Sequence, residues 1–87
     1  MSDTQNLIDA RAPGRALFAR VGEALYGALW QQALARELDV SGRSVRYWVA
    51  GAHRIPNGVW ADLFTLMEDR RALLTELIDQ TRKAIPS

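Results

Sequence analysis

Two short helical patterns separated by only three residues constrain the fold of this chain more than any other feature. Large apolar side chains recur every three or four residues in both patterns: Trp30, Leu34 and Leu38 in the first, and Val45, Trp48 and Val49 in the second. Because the connection Asp39-Val40-Ser41 is so short, the two helices must cross steeply, and Ala35 supplies a small side chain where their backbones approach. We therefore expect two helices packed against each other, the second capped by Ser41 and ended by Gly51.

The rest of the chain also has helical periodicity and no alternating strand pattern, which predicts a compact all-α fold of five helices. The first helix carries an apolar face of Leu17, Phe18, Val21 and Leu25 and stops at Gly27. The fourth follows Pro56 and carries Val59, Trp60, Leu63, Phe64, Leu66 and Met67. The fifth, from about 69 to 85, has a stripe of Leu73, Leu74, Leu77, Ile78, Thr81 and Ile85. Residues 1–13 are expected to be a flexible N-terminal arm, and residues 14–85 a single domain.

Length and composition narrow the class of protein. The 87 residues suffice for one small domain, and 48% of them are apolar. The absence of cysteine excludes disulfides, thiolate metal sites and thiol catalysis. No apolar run approaches the roughly 20 residues of a membrane span, and the first residues do not resemble a signal peptide. We therefore expect a cytoplasmic protein with no membrane partner.

Charge is segregated along the chain although the net charge is only +1. Residues 40–61 contain no Asp or Glu but include Arg43, Arg46 and Arg54. Residues 62–79 contain five acids against two arginines. This distribution suits one surface that faces a polyanion and another that faces away from it.

The outward face of the second helix of the pair has the chemistry of a base-reading surface. Its residues lie at i, i+3, i+4 and i+7: Arg43, Arg46, Tyr47 and Ala50. Arginine suits a bidentate hydrogen bond to guanine in the major groove. The small residues Ser41, Gly42 and Ser44 allow close approach at the helix N-terminus, where the backbone dipoles favour a phosphate. These features predict a helix-turn-helix whose second helix contacts double-stranded DNA.

Residues 31–50 resemble the lambda-repressor-like, Cro/Xre-type helix-turn-helix. The resemblance lies in Gln31, Ala35, Val40, Val45 and Trp48. Residues 22–68 are similar to small bacterial and prophage regulators, including an anti-CRISPR-associated type. Asp39 stands where the family usually has glycine, and aspartate tolerates left-handed backbone angles better than most residues.

The resemblance implies a role for each matching residue. Gln31 would touch a phosphate and buttress the recognition helix. The base-reading face would consist of Arg43, Ser44, Arg46 and Tyr47, with Ser41 at its N-terminal end. The following loop and helix start, with His53, Arg54 and Asn57, would lie against the sugar-phosphate backbone.

Several of these residues could instead have a purely structural role. Tyr47 could cover the edge of the core, and His53 could be a plain loop residue, since a metal site would need further ligands. The three tryptophans could form a platform for single-stranded bases, but their inward positions favour a core. Ser41 could in principle be a catalytic nucleophile, but the motif places no general base beside it. It is expected to be a helix cap. We expect no enzyme activity, no cofactor and no metal.

These observations predict a sequence-specific DNA-binding regulator, a repressor that occludes a promoter and can act on its own gene. The apolar stripe of the fifth helix could pack back onto the first helix or pair with a second subunit, and we expect a homodimer. The main alternative is a helical adaptor or antitoxin-like module whose arginine face binds an acidic protein partner. Architectural DNA binding without sequence preference is disfavoured because the basic face is confined to one helix and its loop.

Overall fold

The computed structural model describes residues 11–86, which are helical apart from short connections. The described residues form four α-helices and one 3-10 helix, in the order α1 (Arg11–Tyr26), the 3-10 helix (Gly27–Leu29), α2 (Trp30–Leu38), α3 (Gly42–Ala50) and α4 (Asn57–Ala84). No strand occurs in this part of the chain, so the all-α prediction is confirmed there.

The N-terminal boundary differs from the predicted one. Helix α1 begins at Arg11 and therefore includes residues 11–13, which were assigned to the arm. Pro13 does not prevent this, because the N–H groups of a first helical turn have no intrahelical acceptor and proline is tolerated there. The rest of the predicted arm, residues 1–10, lies outside the described residues.

The core is built around the ring of Phe18, which is fully buried. Its centroid lies 5.5 Å from that of Trp30, 5.9 Å from that of Trp48 and 6.2 Å from that of Trp60, each in an edge-to-face arrangement. This geometry is favourable because the positive edge of one ring meets the negative face of another. Trp30 and Trp48 are buried and Trp60 is partly buried, so the core interpretation of the tryptophans is confirmed and a stacking platform is not formed.

The apolar residues of four helices surround that cluster. The remaining buried side chains are Val21, Leu25, Leu34, Ala35, Val45, Ile55, Val59 and Leu63. No polar or charged side chain is buried among the described residues. The small domain is therefore held together by apolar packing without an internal polar network.

The connection between α2 and α3 is a tight left-handed turn at Asp39, whose φ is 56°. The Asp39 N–H donates to the Arg36 carbonyl (3.2 Å) and the Val40 N–H to the Ala35 carbonyl (3.0 Å). This pair of bonds satisfies carbonyls that the end of α2 leaves without helical partners. Asp39 therefore adopts the left-handed conformation for which glycine is the usual residue at the end of a helix.

The prediction of five helices is wrong at one point, because the fourth and fifth are a single 28-residue helix. The fifth helix was predicted to begin at about residue 69, within the charged residues 68–71. Charged residues with long side chains are good helix formers, and the Glu68 carboxylate accepts from Arg71 Nη2 at 2.7 Å one turn later. With neither glycine nor proline between Gly58 and Ile85, nothing stops the helix before residue 84.

Burial departs from the predicted faces at four residues. Leu17, Phe64 and Met67 were assigned to inward faces but are 52%, 62% and 37% exposed. Leu17 and Phe64 are each displaced by about 100° around their helices from the buried Phe18 and Leu63, whereas Leu66 still packs against the core. Ile55, in the loop before α4, is buried instead, although no periodic pattern pointed to it.

The second half of α4 extends beyond the core. Every residue from 71 to 86 is exposed, including the predicted apolar stripe. The stripe therefore does not pack back onto α1, and the compact part of the fold ends near residue 70. No helix in the described residues is long and apolar enough to cross a membrane.

Candidate nucleic-acid interface

Helix α3 is a nine-residue helix held at both ends by specific hydrogen bonds. At its start the Ser41 hydroxyl accepts from the Ser44 N–H at 3.1 Å, which is the predicted cap. At its end Gly51 has a φ of 80°, and the N–H groups of Gly51 and Ala52 donate to the Trp48 and Tyr47 carbonyls. The helix is therefore fixed in length and position, as a contact surface requires.

The two faces of α3 have opposite characters. Val45 and Trp48 are buried against Phe18 and its neighbours. Arg43, Arg46 and Tyr47 are exposed on the other side. The buried face thus fixes how α3 lies in the domain, and the predicted base-reading side chains project outward from it. Ser44 is only partly exposed and its hydroxyl lies 3.1 Å from that of Ser41.

The first turn of α3 concentrates positive potential. A guanidinium nitrogen of Arg46 lies 3.3 Å from the point that a Cβ on Gly42 would occupy, so this side chain reaches back along the helix toward its N-terminus. The backbone N–H groups of the same turn carry the positive end of the helix dipole. An anion near Gly42 would therefore be attracted by the Arg46 guanidinium and by the backbone N–H groups of this turn.

The loop after α3 joins the same surface. The centroid of the His53 ring lies 4.6 Å from that of the Tyr47 ring. The backbone N–H of His53 donates to the Tyr47 carbonyl at 3.4 Å. Two residues that were predicted to contact different parts of DNA, the bases and the backbone, are therefore neighbours. Arg54 and Asn57 are also exposed, and Asn57 is the first residue of α4.

The arginines of this surface are exposed to solvent. None of Arg43, Arg46 and Arg54 forms an ion pair with an acid that the structure describes. The ion pairs between described residues lie in α4, between Glu68 and Arg71 and between Asp79 and Lys83. The segregation of charge seen in the sequence is thus also a segregation in space: cations on α3 and its loop, and neutralised pairs on the far half of α4.

Gln31 is the second residue of α2 and is partly exposed. Among the hydrogen bonds between described residues, none joins its side chain to α3. Its buttressing role therefore stays a prediction.

Arg15 also contacts the end of α3, although no sequence motif predicts this contact. Its Nη1 donates to the Ala50 carbonyl at 3.1 Å, across from α1 to the last residue of α3. Glycine is favoured at position 51 by its positive φ, and a Cβ there would displace the flexible Arg15 guanidinium, whose Nη1 lies 2.5 Å from that point. A cation at a helix C-terminus also complements the dipole. A single arginine on an amphipathic helix gives no sequence signal for such a contact.

The described residues contain no group of three or more His, Asp or Glu side chains that could hold a metal ion. The chain matches no protein-family model, no curated protein and no solved structure. The functional interpretation therefore depends on the motif and on the geometry of the surface formed by α3 and its loop.

Proposed function

We propose that this protein is a sequence-specific DNA-binding regulator with a lambda-repressor-like arrangement, in which α2 and α3 form the helix-turn-helix. The observation that carries the proposal is the exposed face of α3, where Arg43, Arg46 and Tyr47 project from a helix anchored by two buried residues. Arg43 and Arg46 would read base edges, and each good bidentate contact discriminates by about 1–3 kcal/mol.

The surroundings of α3 suit phosphate contacts on both sides of a groove. Ser41, Gly42 and the first N–H groups of α3 lie at one end, and His53 and Arg54 lie in the loop at the other. Phosphate contacts of this kind fix register, whereas base contacts specify sequence. The proposed division is therefore base reading by α3 and backbone contact by its two ends.

Repression by occlusion follows as the simplest mechanism for a small domain of this kind. A protein seated in the major groove over a promoter excludes the polymerase without further chemistry. We propose the promoter of its own gene as the first target to examine.

The test is fluorescence anisotropy with a duplex from upstream of the gene, a scrambled duplex at the same salt, and duplexes selected from a random pool. We expect at least one sequence to bind about a thousandfold more tightly than the scramble. Arg43→Ala and Arg46→Ala should each weaken that binding by about 5-fold to 150-fold and relax the preference at one base pair.

Lys83→Ala is the matched control, because it removes one exposed cation far from α3. It should leave the affinity for the selected sequence within about twofold. Equal binding of selected and scrambled duplexes, or wild-type affinity of the two arginine variants, would contradict the proposal. The same arginine face would then be assigned to an acidic protein partner, the alternative that these exposed cations also favour.

A further inference from the structure

The exposed half of α4 carries a seam in which four of six positions are apolar. We use the name α4 seam for the positions that alternate in steps of four and three along this helix: Met67, Arg71, Leu74, Ile78, Thr81 and Ile85. Such spacing, near 3.5 residues, keeps one side of a helix facing a neighbouring helix. Leu74, Ile78 and Ile85 are 49%, 56% and 65% exposed, so nothing in the described part of the chain covers the seam.

The surface shape follows the same line. A shallow groove of about 440 Å³ is lined by Leu74, Leu77, Ile78, Thr81, Arg82 and Ile85. It is centred on the α4 seam, with Leu77 on one flank and Arg82 on the other. At the start of the seam, Arg70 donates to the Leu25 carbonyl at 2.8 Å and lies over the Tyr26 ring, so the end of α1 covers that side of the helix there. A partner helix therefore has access to the seam from the side away from the core.

We propose that the α4 seam pairs with the same seam of a second copy of this chain, as an antiparallel two-helix coil. The amount of surface suits this occupant: the exposed apolar side chains of two copies would remove on the order of 1,000 Å² from water, the size at which specific interfaces begin. An exposed apolar helix face of this length is otherwise unfavourable in water.

The direction of pairing follows from the charges. In a parallel pair each seam residue faces its own copy, so Arg71 would meet Arg71 of the second copy, a like-charge contact. In an antiparallel pair with its centre near residue 76, Arg71 faces Thr81, and Ile78 faces Leu74. In the same register Ile85 faces Met67, and Glu68 lies beside Arg82 of the other copy. Apolar residues thus meet apolar ones, and opposite charges meet at the edges.

The first measurement is the mass of the full-length protein in solution without DNA, by analytical ultracentrifugation across a concentration series. We expect a dimer. Ile78→Glu should raise the dimer dissociation constant at least about 100-fold, since it places a charge in an apolar contact on both copies. Because Ile78 is exposed in the single chain, this variant should keep the cooperative unfolding of the core, whereas its unfolding midpoint should no longer rise with protein concentration. Gln80→Glu, which adds the same charge on the outward side of the same turn, should dimerise normally.

The register is tested with cysteines, since the chain has none of its own. The double variant Met67→Cys, Ile85→Cys should form disulfide-linked dimers under mild oxidation, because each residue faces the other across the pair. The two single variants should not, since like positions lie far apart. Positions 67 and 85 are about 27 Å apart along one helix, which excludes a bond within a chain.

A monomer at all concentrations would overturn the pairing, and dimers cross-linked by either single variant would overturn its antiparallel direction. The pairing does not depend on DNA, and its mass measurement is made without it. A monomer that still prefers one DNA sequence would refute the pairing and leave the proposed function standing. A dimer that binds all DNA sequences equally would support the pairing and refute the proposed function.

Discussion

Gly22 is the residue whose size is most tightly constrained. It lies buried in α1, and a Cβ there would fall 2.1 Å from an atom of the Trp30 ring. The ring cannot move aside, because its other contacts are with Phe18 and the rest of the buried cluster. The close contact of α1 and α2 therefore depends on the absence of a side chain at this position.

We expect Gly22→Ala to lower the free energy of unfolding by about 3 kcal/mol or more, through overpacking of the core. Urea unfolding followed by circular dichroism would measure it. Gly58→Ala is the matched control, since nothing lies within 4 Å of a Cβ there. Gly58 is helical, so alanine should stabilise by up to about 1 kcal/mol. Equal effects of the two substitutions would show that the Trp30 contact is not tight.

Tyr26 links the core to pH. Burial raises its pKa above the usual 10.0, Glu37 raises it further, and Arg70 opposes them. The folded protein therefore holds the phenolic proton at pH values where the unfolded chain releases it. The stability that Tyr26 contributes should be fully present below pH 10. The free energy of unfolding should then fall as pH rises from 10 through the raised pKa of Tyr26.

Tyr26→Phe removes the titrating group but keeps the ring beside Arg70. Its free energy of unfolding should decline less steeply than that of the wild type between pH 9 and pH 11, in urea titrations at constant ionic strength. Parallel decline of both proteins would show that Tyr26 does not contribute.

Among the elements, α4 has two halves with different neighbours. Its first turns supply Val59 and Leu63 to the core, and Arg70 ties it to the end of α1. From Arg71 onward every described residue of the helix is exposed. Isolated helices of about four turns are marginal in water, so its persistence as a helix depends on nucleation by the anchored half and on a partner.

Deletion of residues 72–87 should therefore leave the core folded while removing the helical signal of the projecting half. The midpoint of thermal unfolding should become independent of protein concentration, whereas that of the full chain should rise with concentration, as for any dimer that dissociates on unfolding. Loss of the cooperative transition on truncation would show that the second half of α4 is part of the core.

Periodicity and turn chemistry predicted the elements that the core defines. Trp30, Leu34, Val45 and Trp48 could be placed because each helix buries one stripe, and the stop at Gly51 could be placed because a positive φ favours glycine. Two features could not be found in this way. The joining of the last two helices has no marker, since charged residues suit a helix interior as well as its end.

The contact from Arg15 to Ala50 joins residues 35 positions apart, and no local pattern encodes it. Long-range polar contacts of this kind depend on how the helices are packed, which periodicity does not specify. The exposed arginines of α3 were predictable by subtraction, because the buried stripe left them no inward position.

At the scale of the whole molecule, the proposed antiparallel pair sets a distance between two DNA-binding units. In the register centred near residue 76, Leu63 and its copy would be about 26 positions apart along the shared axis, or about 39 Å. Half-sites read by paired helix-turn-helix proteins lie about 34–36 Å apart, one turn of DNA. The length of α4 therefore suits two half-sites in an inverted repeat.

Given both proposals, we expect the selected DNA to be an inverted repeat with its half-sites about one turn apart. Inserting 5 base pairs between them should weaken binding by at least about tenfold, since the second half-site turns to the opposite side of the duplex. Inserting 10 base pairs should not restore it, because a rigid helix pair cannot lengthen. Full affinity with either insertion would argue for independent monomers on the two half-sites.

The ring of Phe18 also decides what can be seen by optical methods. All three tryptophans of the chain stand around it, one each from α2, α3 and α4, while Phe18 itself comes from α1. Intrinsic fluorescence thus reports one meeting point of four helices and should give a single transition when they separate. The same signal carries almost nothing from the projecting half of α4, which has no tryptophan. A chain in which only the projecting half of α4 has unfolded would therefore have the same tryptophan emission as the intact protein.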